Sequence, residues 1–76
     1  MDVQVEMIQP GWTVFAADGQ ELGVVVSVEH GTLTIKKRGL LGMKEFHVPS
    51  KAVTDVETGR VELSMTKQEV ETTSTG

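Results

Sequence analysis

The chain has 76 residues, 38% apolar and 24% charged, enough hydrophobe for one small core and too little length for a second. It contains no cysteine, which excludes disulfides, thiol nucleophiles and cysteine-ligated metal sites. Seven Lys and Arg against eleven Asp and Glu give a net charge of −4, which argues against general coating of nucleic acid.

Residues 1–7 read as an N-terminal arm with neither the basic start nor the apolar block of a signal peptide. The longest apolar run, Val24-Val25-Val26, is far short of the roughly 20 residues needed to cross a bilayer, so a cytoplasmic protein is expected. From Met7 and Ile8 onward the apolar period is mostly two, with turn signals at short intervals. Trp12-Thr13-Val14-Phe15-Ala16 is the first strand, and Asp18-Gly19 is the tight turn that ends it. In Glu21–Glu29 the alternation predicts Leu22, Val24, Val26 and Val28 inward and Gly23, Val25, Ser27 and Glu29 outward. Gly23 in a strand interior marks a bulge or the close approach of another backbone.

His30-Gly31 tolerates the positive φ of a two-residue hairpin turn, after which Leu33 and Ile35 point inward. The stretch Arg38-Gly39-Leu40-Leu41-Gly42 is a connection, and Lys44–Val48 is a strand with Phe46 and Val48 inward, closed by Pro49. Ser50-Lys51-Ala52 is one helical turn leading to Val53 and Val56, Thr58-Gly59 is a hairpin corner, and Val61 and Leu63 form the last inward pair. Thr66 followed by Glu69 fits a capping box, which predicts a short helix through Val70. The apolar-free stretch 71–76 is expected to be a disordered tail. Residues 8–70 thus predict one all-β domain, a small six-stranded barrel or rolled sheet with a short C-terminal helical turn.

The segments Gly11-Trp12-Thr13-Val14 and Asp18-Gly19-Gln20-Glu21-Leu22-Gly23-Val24-Val25 resemble the opening hairpin of the PRC-barrel superfamily. The stretch Glu45-Phe46-His47-Val48-Pro49-Ser50-Lys51-Ala52-Val53 is similar to that family's aromatic-x-valine/isoleucine-Pro segment, and Val61-Glu62-Leu63-Ser64 to its closing strand. The likeness covers roughly residues 7–70 and extends to short stand-alone bacterial members of unknown function. The superfamily includes the cytoplasmic part of the photosynthetic reaction-centre H subunit and the C-terminal domain of a ribosome-maturation factor. The resemblance implies a non-enzymatic barrel that docks on proteins, and it transfers no catalytic residue. With no membrane helix or partner domain seen in this sequence, neither the photosynthetic nor the ribosomal role carries over.

The polar residues offer no catalytic constellation. His30 and His47 lie seventeen positions apart without a second-ligand spacing, and Ser27, Ser50, Ser64 and Ser74 lack a nucleophile-elbow context. Neither an enzyme nor a bound cofactor or metal is expected. Gly39 and Gly42 have a Gly-x-x-Gly spacing, but their loop leads into a strand rather than the helix N-terminus that a phosphate loop needs. Trp12 reads as a core or rim filler, and Phe15 and Phe46 as core.

Charge singles out one segment. Lys36, Lys37, Arg38 and Lys44 are four of the seven cations, and 36–44 contains no acid, which leaves the rest of the chain at −8. Two readings of this basic loop stay open. In one, Leu40, Leu41 and Met43 fold back as a plug over the barrel end and the lysines are merely wet. In the other, the same three residues anchor a protein partner while Lys36, Lys37, Arg38 and Lys44 steer toward an acidic surface. The expected function is a protein-interaction or assembly module. The alternative is a nucleic-acid-associated accessory protein of the ribosome-maturation kind, using the same loop. A domain this small has little core to spare, so a homo-oligomer is a natural supplement, with the acidic remainder of a second copy as the surface the loop meets.

Overall fold

The computed structural model describes residues 5–39 and 42–73. Six strands form one sheet: β1 (Thr13–Phe15), β2 (Glu21–Glu29), β3 (Thr32–Gly39), β4 (Gly42–Pro49), β5 (Val53–Glu57) and β6 (Arg60–Leu63). Their spatial order is β4-β3-β2-β1-β6-β5, antiparallel throughout except for the parallel pair β1–β6. Single 3-10 turns occupy Val5–Met7 and Ser50–Ala52, and helix α1 spans Lys67–Thr73. Among the described residues no ladder joins the edge strands β4 and β5, so the sheet is open. Helix α1 packs against β4 and contributes Val70, which is fully buried.

The turns follow local chemistry. His30 (φ 52°) and Gly31 (φ 74°) both take the left-handed conformation between β2 and β3, the backbone of a two-residue hairpin whose twist matches its strands. After β1, the Ala16 amide donates to the Gln20 carbonyl at 2.8 Å and Gly19 supplies φ 84°. At the start of α1 the Thr66 amide donates to Glu69 Oε1 at 2.8 Å, and the Glu69 amide donates to Thr66 Oγ1 at 3.2 Å. This reciprocal pair satisfies two donors that a helix start otherwise leaves open. The helix continues to Thr73, past the expected stop at Val70, so residues 71–73 are helical rather than tail; 74–76 lie outside the described residues.

One buried cluster holds the domain together, drawn from every strand and from α1; Val14, Leu22, Leu33, Ile35, Val61 and Val70 are all fully enclosed. Leu33, Ile35, Phe46, Val48, Val61 and Leu63 face inward as their alternation predicts. Strand β2 departs from it. Leu22 is buried, but Val24 is 40% exposed and Val25 only 2% exposed, the reverse of the predicted order. Two register breaks explain the change. Opposite β1, Val14 pairs with Gly23 and Phe15 with Glu21; opposite β3, Val25 pairs with Ile35 and Ser27 with Thr34. Each extra residue flips the side-chain parity, so Leu22, Val25 and Val28 meet the core three residues apart. Phe15 also departs from its expected place: it lies half-buried on the face opposite Val14, with the Arg60 guanidinium 4.3 Å over its ring. Trp12 packs, partly buried, at the rim of the core.

The first break is built on Gly23. Its φ of 134° is one that L side chains rarely adopt, and a Cβ there would run into the Lys36 carbonyl, 2.8 Å from its carbon. Gly23→Ala is therefore expected to lower unfolding free energy by about 2–5 kcal/mol, from backbone strain and from pushing β3 away. Urea denaturation followed by far-ultraviolet circular dichroism measures this, and a loss below about 0.5 kcal/mol would mean that β3 does not approach β2 here.

Candidate functional site

The basic segment is the end of a long hairpin rather than a loop. Strand β3 pairs with β2 only as far as Lys36, opposite Val24, whereas its ladder with β4 runs on through Lys37–Lys44, Arg38–Met43 and Gly39–Gly42. Past Lys36 the β3–β4 hairpin runs on as an arm beyond the end of the β2–β3 ladder, its base still beside β2, where Gly23 approaches the Lys36 and Lys37 backbone. The strands extend into the expected connection because Gly39 and Gly42 stand directly opposite each other, which leaves only positions 40 and 41 between them. Leu40 and Leu41 lie outside the described residues, so neither the plug nor the anchor role expected of them is addressed by the fold.

Cross-strand register sorts this arm by face. Leu33 and Val48, then Ile35 and Phe46, share the inner face, and the next inward pair along the arm is Lys37 and Lys44. The Lys37 ammonium donates to the Glu21 carbonyl at 3.2 Å, which ties the base of the arm to the start of β2. Lys44 is exposed. Among the described residues neither lysine forms an ion pair, and like charges directly opposite each other on a sheet repel. Lys36 stands opposite Glu45 on the outer face, and Met43, opposite Arg38 in register, is 61% exposed.

The same outer face holds His47. Its Nε2 lies 3.1 Å from Glu45 Oε1, and its Nδ1 lies 3.4 Å from Thr34 Oγ1 on the neighbouring strand. About half of the His47 side chain is open to water, so this is a solvated polar contact of small energetic weight. His30 occupies the turn at the opposite end of β3, and the two histidines do not meet. Among the described residues no three His, Asp or Glu side chains converge as a metal site, and no helix is long and apolar enough to cross a membrane.

An open groove of about 400 Å³ lies along the second half of β2. Strand β1 stops pairing at Val24, and the Gly11 amide and Trp12 carbonyl bond the Val25 backbone. Beyond Val25 no described strand takes that edge of β2, and the segment entering β1 lines the groove instead. Ile8, Pro10, Val26 and Val28 form its apolar surface, with Glu6 and Glu29 as its charges. Sequence reading misses this groove because it is assembled from two segments and depends on the parity flips in β2; the unbroken Val24-Val25-Val26 run is the only trace of it in the sequence.

Residues 8–71 match the family described as an uncharacterized protein conserved in bacteria (DUF2171), and the chain belongs to that family. No curated protein and no solved structure matches it.

The lysine pair yields a direct expectation. Lys44→Glu, which sets an acid opposite Lys37, is expected to raise stability by about 0.2–1 kcal/mol at low ionic strength, with the gain shrinking as salt is added. Thermal unfolding at two salt concentrations reads this; a destabilised Lys44→Glu variant would show that the two ammonium groups do not face each other.

Proposed function

We propose that this member of the DUF2171 family is a non-enzymatic protein-interaction module of the cytoplasm, built as a PRC-barrel-like sheet, which docks through its basic hairpin on an acidic protein surface. One observation carries the reading: two lysines stand directly opposite each other at the projecting end of a hairpin, in a chain whose remainder is acidic. Such a pair lowers the stability of the isolated domain, and an acidic partner relieves the repulsion on contact. Met43, on the other face of the hairpin, adds an exposed apolar contact.

The positions of the polar groups support binding over chemistry. His47 with Glu45 sits on an open strand face rather than in the groove, and the groove's own polar side chains are two acids and Ser27. The likeness to PRC-barrel domains rests on the Asp18-Gly19 turn, Leu22-Gly23 and the Phe46-x-Val48-Pro49 segment, which stand at the β1–β2 turn, in β2 and at the end of β4. A protein-docking role is consistent with that likeness. The basic arm has no aromatic residue on which a base could stack, so protein is favoured over RNA.

Affinity capture from a bacterial extract, comparing wild type with the Lys36→Glu/Lys37→Glu/Arg38→Glu variant, tests the reading. Wild type is expected to retain a protein that the variant loses, with only mild weakening between about 50 and 200 mM salt. Equal capture profiles would overturn the docking role, and steep salt-dependent binding of RNA would replace it with a nucleic-acid one.

A further inference from the structure

Resting on that reading of the hairpin as a docking element, we infer that the acidic surface it meets is the β2 groove of a second copy of this chain, so that the protein associates head to tail. The two features complement each other in charge and character. The hairpin presents Lys37 and Lys44 on one face, with the exposed Met43 on the other; the groove presents an apolar floor of Ile8, Val26 and Val28 with Glu6 and Glu29 beside it. At about 400 Å³ the groove has room for the aliphatic stems of the two lysines, whose ammonium groups then reach its acids.

Topology prevents one chain from satisfying both features. Strand β3 runs antiparallel to β2, with Leu33 opposite Val28 beside the groove and Lys36 opposite Val24 at the base of the arm. The tip at Gly39 is six residues beyond Leu33, about 20 Å further along the sheet at the rise of an extended strand. The arm leaves at one end of β2 and the groove lies at the other. A contact between unlike patches at opposite ends is heterologous: it grows into a ring where the rotation closes and into an open series where it does not. Among the described residues no strand pairs the edge of β2 beyond Val25, which faces the same groove and offers backbone groups to an incoming strand.

Charge reversal with a rescue arm tests this on the purified full-length chain. Sedimentation at about 20 mM salt and up to about 1 mM protein suits a small, charge-assisted interface. Wild type is expected to show mass rising with concentration and falling back as salt is added. Lys37→Glu/Lys44→Glu and, separately, Glu6→Lys/Glu29→Lys are each expected to weaken association at least about tenfold. An equimolar mixture of the two variants is expected to restore it, because each then carries the complement of the other; misfolded variants could not produce that rescue. A wild type that stays monomeric throughout, association untouched by either reversal, or reversals without rescue would each overturn the proposal. Loss of a foreign partner on hairpin reversal together with a monomeric wild type would retire the groove as the occupied surface while leaving the docking hairpin in place.

Discussion

The contact on which the structure turns is between two backbones, where β3 closes on β2 at Gly23. No side chain fits there, since a Cβ would meet the Lys36 carbonyl. The register break beside Gly23 rotates the following residues so that Val25 replaces Val24 in the core, and the second break at Val26 brings Val28 back to it. Two further features meet at the same place. Strand β1 ends its pairing at Val24, which leaves the far half of β2 with the groove beside it. Strand β3 ends its pairing with β2 at Lys36, and its ladder with β4 runs on to Gly39 and Gly42.

The arm and the core have opposite electrostatic demands. Burial of the inner-face pairs Leu33–Val48 and Ile35–Phe46 anchors the base of the hairpin, and the next pair on that face, Lys37 and Lys44, contributes repulsion instead. A single reach from Lys37 to the Glu21 carbonyl offsets part of this cost. Stability is thus set in the valine- and leucine-lined sheet, and the proposed docking role is assigned to the place where that lining stops.

Much of the fold is legible in the sequence because its determinants are local. The His30-Gly31 and Thr58-Gly59 turns and the capping box of Thr66 and Glu69 each depend on residues within a few positions of one another. The alternation in β3 and β4 carries through undisturbed because no bulge interrupts their ladder. Strand β2 defeats the same logic, since a residue's facing there depends on how two other strands pair with it. Gly39 and Gly42 are ambiguous for a related reason: glycines that suit a loop equally suit the last pair of a ladder. The basic residues of the site are visible as a charge cluster, but their face and the like-charge pairing of Lys37 with Lys44 need the register. Phe15 shows the converse limit, an aromatic expected inside that a neighbouring strand covers with Arg60.

The parity reversal in β2 is the most direct point of attack on all of this. Methyl-resolved nuclear magnetic resonance with a soluble paramagnetic agent reads it residue by residue. In the fold described above the Val25 methyls are shielded and show contacts to Ile35, while those of Val24 broaden on addition of the agent. Shielded Val24 methyls beside broadened Val25 methyls would mean a regular strand without the Gly23 break, and would remove the basis of both the groove and the projecting arm.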